Sequence, residues 1–168
     1  LPSYAAFNMR INRLSETFRL LATHLIENFQ PESCIKDENL LDSMPIITCS
    51  GKRTPKVALE STDKGYCSTK STYFYGLKLH ALSFNRPDTL PFSEQFVVTT
   101  ASESDLNVFK QSWGDLTNRT YYGDKIYHNI DYFEELQKTK NSSMLTPIKN
   151  IYSLKLIFFS SDFDYELL

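Results

Sequence analysis

The sequence predicts an α/β protein, a mixed sheet flanked by helices and led by an N-terminal helix. Three observations carry this reading. Apolar residues recur at helical spacing through the first 29 positions. Three segments between residues 40 and 99 are rich in β-branched and aromatic residues. After residue 100, helical and strand patterns alternate.

Taken in order, Phe7, Ile11, Leu14, Phe18, Leu21 and Leu25 line one face of a helix over residues 3–29. Ser3 is placed to cap it and Pro31 to close it. Such a stripe serves a core or a partner helix far more often than a DNA groove. Residues 40–48 read as a short strand with one acidic side chain among apolar neighbours, and residues 49–71 as a polar, basic connection. Residues 72–84 are dense in aromatic strand formers and predict a long strand. Asn85 to Thr89 supply a turn around Pro87-Asp88, and a third strand runs from Pro91 to Thr99. A helix over 102–113 is expected, capped by Ser102, with Leu106, Phe109 and Trp113 on one side. A short strand over 119–122 ends at Gly123-Asp124-Lys125. A helix over 130–138, capped by Asn129, and a strand over 143–148 complete the order. Three consecutive strands make an antiparallel meander, and the later strands enter through helical crossovers, with the 119–122 strand beside the first.

The chain has 168 residues, one domain's worth. With 41% hydrophobic and 14% aromatic residues it can bury a core without disulfides, and disorder over most of its length is excluded. No uncharged apolar-rich run, that from Leu156 to Ser161 included, is long enough to span a bilayer, so no membrane partner is expected. No signal-peptide pattern is present, and Leu1 in place of Met predicts a truncated or processed N-terminus. Cys34, Cys49 and Cys67 are odd in number and widely spaced, which fits neither a zinc site nor a disulfide framework. Reduced thiols of a cytosolic protein are expected.

Net charge is −2, against a dedicated DNA-coating protein, but its distribution is uneven. Residues 48–80 hold Lys52, Arg53, Lys56, Lys64, Lys70 and Lys78 against two acidic residues. That stretch is either a solvated loop or a phosphate-contacting one.

Asp42 follows two leucines where a core strand should be apolar, and a buried lone carboxylate needs a partner or a metal. Its plain alternative is capping a turn before Pro45. Asp124 follows a strand end, where catalytic groups collect in α/β folds, or it simply makes a Gly-Asp turn. If the two strands are neighbours, the two carboxylates converge and repel unless a divalent cation lies between them. Hard oxygen ligands select Mg²⁺ or Mn²⁺, and such ions support chemistry at phosphorus. His80 reads either as a hydrogen-bonded, half-buried histidine or as a group near the metal site. Lys78 shares its strand face, and a basic pair facing the acidic site would stabilise ligand phosphates. His24 reads as helix surface and His128 as a neighbour of a helix cap.

Three motifs now stand in order: Asp42-Ser43-Met44-Pro45, then Tyr75-Gly76-Leu77-Lys78-Leu79-His80, then Gly123-Asp124-Lys125-Ile126-Tyr127. The pattern resembles the catalytic domain of a DDE-type transposase of a bacterial insertion sequence. The family pattern is Asp-Ser-x-Pro, Tyr-Gly-Phe-Lys-Leu-His, Thr-x-Ala with a downstream Asp, and Gly-Asp-Lys-Gly-Tyr. Thr100-Ala101 and Asp105 stand in the third place. Ile126 departs from the family glycine, and Ser104 precedes Asp105 where a histidine is common.

The resemblance implies a ribonuclease H-like fold and Mg²⁺-dependent (or Mn²⁺-dependent) DNA nicking and strand transfer. It assigns Asp42 and Asp124 as catalytic, metal-holding residues. Lys52, Arg53, Lys56, Lys64, Lys78, His80 and Lys125 are the expected DNA contacts. The implied partners are DNA, as element ends and target, together with further copies of this chain or a full-length transposase. The implied location is the bacterial cytoplasm, at the nucleoid. The family's third acidic residue belongs on an arginine-rich helix beyond residue 150, and no counterpart is present. Asp162, Asp164 and Glu166 lie in an atypical tail and are not assigned. The change of texture at Asn150–Ile151 predicts a frameshift or premature end. The expected organisation is an N-terminal helical remnant over 1–36, a partial catalytic domain over 37–150, incomplete at its C-terminus, and a tail over 151–168. The expected function is that of a transposase, catalytically incomplete in this chain. The alternative is a non-catalytic remnant acting as a weak DNA- or transposase-binding module.

Overall fold

Ser3 caps the first helix as expected, its hydroxyl accepting from the Ala6 amide at 3.3 Å. The helix does not run unbroken to residue 29. In the computed structural model, which describes residues 3–52 and 62–147, α1 spans Tyr4–Arg13 and α2 spans Ser15–Asn28. The interruption at Leu14 has a local cause. The Ser15 hydroxyl donates to the Asn12 carbonyl at 2.9 Å and competes with the backbone ladder. The Leu14 amide still reaches Arg10 O and the Phe18 amide reaches Leu14 O, so the helical path resumes at once. Residues 1–34 form one compact unit, and the whole stripe from Phe7 to Leu25 is exposed.

The second unit, residues 35–168, is built on a six-stranded sheet. Its strands are β1 (Ile35–Ser50), β2 (Asp63–Cys67), β3 (Thr72–Asn85), β4 (Phe92–Thr100), β5 (Thr120–Tyr122) and β6 (Ser143–Leu145). β1 pairs antiparallel with β3. The opposite edge of β3 takes β2 along Thr72–Gly76 and β4 along Leu77–Phe84. β5 lies parallel to β1, and β6 parallel to β5. The expected meander and the place of the 119–122 strand beside the first are therefore present. β2 falls in the stretch expected to be a connection. Gly65 at its centre has no room for a side chain, because a Cβ there would lie 2.6 Å from the Ala101 carbonyl oxygen.

Helices α3 (Asp105–Ser112) and α4 (Ile130–Lys140) supply the cover. Phe109 on α3, Trp113 just after it and Leu136 on α4 meet Leu41, Leu82, Tyr121, Tyr127 and Met144 in the core. Phe109 stacks edge-on against Tyr121, ring centroids 4.9 Å apart. α3 starts three residues later than expected. The Ser102 hydroxyl is taken by Asp63 Oδ2 at 2.7 Å, and Ser104 holds the N-cap position. Asn129 caps α4 as expected, accepting from the Tyr132 amide at 3.0 Å. Among the described residues no helix is long and apolar enough to cross a membrane. Arg53, Lys56 and the tail with Asp162, Asp164 and Glu166 lie outside the described residues.

Candidate functional site

Leu40 on β1 and Tyr122 on β5 are partners in the parallel ladder. Asp42 stands two residues beyond Leu40, and Asp124 two residues beyond Tyr122. Adjacent parallel strands lie about 4.8 Å apart, so equal steps past a shared partner bring the two aspartates level with each other, Asp42 within β1 and Asp124 just beyond β5. Both line one cleft of about 210 Å³, with Lys78, Asp105 and Tyr127 in its wall. Residues 66–69 of the β2–β3 hairpin line it too.

Both aspartates are exposed, and each is oriented by one oxygen. Asp42 Oδ1 accepts from the Ser43 amide at 2.7 Å. Asp124 Oδ1 accepts from the Ile126 amide at 2.8 Å and caps a single 3₁₀ turn over Lys125–Tyr127. The turn role of Asp124 and its place in the cleft are thus compatible. Gly123 is required by the same turn. A Cβ there would lie 2.8 Å from Tyr127 Cδ2, so the ring could not close over the backbone.

Tyr127 forms the floor. It is 2% exposed, and its hydroxyl finds no hydrogen-bond partner among the described residues. Burial first, and then the negative charges of Asp105, Asp124 and Asp42, push its ionisation well above the usual phenol range. It stays a protonated donor beside the acids.

Asp105, 3% exposed, opens α3 and is the electrostatic pivot of the wall. Lys78 Nζ lies 3.3 Å and His80 Nδ1 3.2 Å from its Oδ1. Burial works against its ionised form. The contacts from His80, Lys78 and Ser43 outweigh this and hold its carboxyl below the usual range. The sequence placed Asp105 in a motif without giving it a role. The signal was an aspartate in a stretch that had to fold back over Lys78 and His80.

The expected DNA contacts separate into two groups. Lys52, Lys64 and Lys125 are exposed, Lys52 in the turn after β1, Lys64 on β2 and Lys125 next to Asp124. Lys78 is half-buried, and its ammonium donates to the Glu103 carbonyl at 2.9 Å besides pairing with Asp105. His80 is fully buried between Asp105 and Thr99, whose Oγ1 is 2.9 Å from Nε2. Direct phosphate contact by His80 is not available in this geometry, because no part of the ring reaches solvent. Its work is to hold Asp105.

The donor set suits a hard cation, since Asp42 and Asp124 each leave a second oxygen unbonded among the described residues. It is not a closed cage. Among the described residues no group of three or more His, Cys, Asp or Glu side chains stands ready to hold a metal. Comparison with curated proteins and with solved structures returns no match. Residues 33–162 match the family model described as a transposase DDE domain. That match spans the cleft and most of the chain, in agreement with the motifs that carry Asp42 and Asp124, and the chain belongs to the transposase DDE domain family.

Proposed function

We propose that this chain is the catalytic domain of a transposase acting on DNA, with Asp42 and Asp124 holding a divalent cation, Mg²⁺ or Mn²⁺, against a phosphodiester. The observation that carries the reading is the matched position of the two aspartates past one parallel ladder pair, both facing one cleft. The strand order β4-β3-β1-β5-β6, with two antiparallel pairings followed by two parallel ones, supports a ribonuclease H-like fold. Bound there, a divalent ion would activate the attacking oxygen and stabilise the oxygen that leaves phosphorus. The chain's own residues orient the reaction. Asp42 and Asp124 are pre-set by backbone amides, Tyr127 forms the buried floor with its hydroxyl protonated, and Lys78 is committed to Asp105. Lys52, Lys64 and Lys125, with Arg53 and Lys56, supply charge for the DNA backbone. The DNA substrate, as element ends and target, places this work at the nucleoid. Further copies of the chain or a full-length transposase complete the proposed assembly.

A second reading, a remnant that binds DNA or transposase without transposing, is favoured by the two-carboxylate set among the described residues. Two aspartates hold one ion weakly, because Mg²⁺ gives up water reluctantly and a second ion needs further oxygen ligands. On the first expectation Mn²⁺ binds at about millimolar strength, and Asp42→Asn or Asp124→Asn weakens it about tenfold or more. Calorimetric titration with Mn²⁺ checks this, paired with Mg²⁺-dependent nicking of supercoiled plasmid. Nicking lost in both variants selects the enzyme. Metal binding without nicking selects the remnant. Metal binding indifferent to both variants removes the site.

A further inference from the structure

β2 and β3 form a hairpin with a four-residue tip, Ser68–Ser71, and Tyr66 and Tyr73 are cross-strand partners on it. The strand faces are divided sharply. Cys67 and Phe74 turn inward with Ala101 in a small cluster, while Tyr66 and Tyr73 are 55% and 58% exposed. Their ring centroids are 5.0 Å apart at a tilt of 57°. The Lys64 ammonium lies 4.9 Å from the Tyr73 ring centroid. Gly51 packs on the backbone of Tyr73, with its amide donating to Tyr73 O at 3.0 Å, and the exposed Lys52 follows it in the same turn. Lys70 is exposed at the hairpin tip. Residues 66–69 of this hairpin also line the cleft that holds Asp42 and Asp124.

Paired, uncovered aromatic rings with an ammonium over one of them, at the lip of an acidic cleft, have a definite complement. A nucleotide presents a flat π-face for the rings and a phosphate for the lysines. A paired base in duplex DNA hides its face in the stack, so only an unpaired or splayed base can use the platform. We infer that the Tyr66–Tyr73 hairpin is a stacking platform for an unpaired nucleobase flanking the phosphate at the cleft, with Lys52, Lys64 and Lys70 on the adjoining phosphates. The inference deepens the proposed DNA function and rests on it for the direction of the strand. It does not rest on the metal. A strand approaching Asp42 and Asp124 meets like charge, and the hairpin lysines provide the local compensation.

The test uses the full chain in EDTA, so that binding is read without cleavage. Fluorescence anisotropy compares a single-stranded oligothymidylate with a blunt duplex of the same length. Tyr66→Ala and Tyr73→Ala are each expected to weaken single-strand binding about 5- to 30-fold and duplex binding by less than about twofold. Tyr73→Trp restores single-strand affinity, because the ring and not the hydroxyl carries the stacking. A 2-aminopurine placed in the strand is quenched by the unaltered chain and not by the double alanine variant. Thermal unfolding of each variant is read alongside, since a pair that serves only the hairpin moves the melting temperature and leaves the single-strand preference intact. Equal losses on both DNA forms, or no quenching difference, overturn the platform. Plasmid nicking by the same proteins keeps the two readings apart. Nicking that depends on Asp42 with stacking indifferent to the tyrosines removes the platform alone. Stacking without Asp42-dependent nicking leaves the platform standing and removes the catalytic reading.

Discussion

Asp105 takes charge from two directions, and this makes it a pH-sensitive contact. Its carboxyl is buried, which opposes ionisation, yet His80, Lys78 and Ser43 bring it below the ordinary carboxylate value of 3.8. The folded state therefore prefers the ionised form more than the unfolded chain does. The stability this contributes is present above the ordinary value and is lost as pH falls below it toward the lowered one. Asp105→Asn should cost on the order of 2 kcal/mol near neutral pH, because Lys78 and His80 lose their anionic partner. The variant's stability should also fall less steeply than the parent's in the acid limb below about pH 4. Urea unfolding midpoints at pH 7 and pH 3.5 check both. A variant that parallels the parent across the whole range would show that Asp105 is not the titrating contact. At this scale the sequence was informative where a residue broke its local pattern. Asp42 stood out as an acid within an apolar strand and Asp124 as an acid just past a strand end. Tyr66 and Tyr73 did not, because tyrosines alternating around a glycine and a cysteine do not reveal which face is open.

Strands and helices were legible where periodicity was long and uninterrupted. The 72–84 strand and the 130–138 helix match β3 and α4 nearly to the residue, β3 because almost every second residue along it is buried and α4 because Asn129 fixes its start and Leu136 anchors it to the core. β1 is longer than its expected nine residues because its outer half is held by β3 and not by its own composition. β2 escaped notice for a similar reason. Asp63-Lys64-Gly65-Tyr66-Cys67 has weak strand propensity, and pairing with β3 decides it. The α1–α2 break reflects one hydroxyl, a contact that periodicity does not encode. Gly76 shows how tightly β1 and β3 are coupled. A Cβ there would collide with the Ile46 carbonyl oxygen, where β1 bulges between Ile47 and Cys49. Gly76→Ala should therefore cost about 2–4 kcal/mol and lower the melting temperature, although alanine is the smallest possible addition. A melting temperature unchanged by the substitution would mean that the bulge can relax freely.

Over the sheet-bearing unit as a whole, cover is unequal. α3 and α4 bury one face, while Met44, Ile46, Phe96 and Val98 remain exposed on β1 and β4. Charge is also concentrated. Around the N-terminal end of β5, Arg119 donates to Lys36 O at 2.6 Å, to Asn39 Oδ1 at 2.8 Å and to Glu94 Oε1 at 3.0 Å. Asn39 is fully buried and in turn donates to Glu94 Oε2 at 3.0 Å. One guanidinium thus ties β1, β4 and β5 together. Arg119→Met should cost about 2–4 kcal/mol, since it strands a buried amide and a half-buried carboxylate. It should also reduce Mn²⁺ affinity at Asp42 and Asp124, though it touches neither. Calorimetry on the variant at a temperature where it remains folded checks the second effect. Metal affinity equal to the parent's would show that β5 holds its position without the guanidinium.

β5 is only three residues long, and its side chains alternate between faces, so a slip of one position would turn Asp124 away from Asp42 while preserving most of the ladder. The Arg119 cluster works as a key cut at the far end of the strand, admitting one alignment and rejecting its neighbours. In a genetic screen for loss of DNA processing, a lesion there would be scored with the acidic residues, although it lies outside their cleft. A single codon inserted between Asn118 and Arg119 should be absorbed by the preceding loop, because the key still fits. The same codon inserted between Arg119 and Gly123 should yield a folded, inert protein.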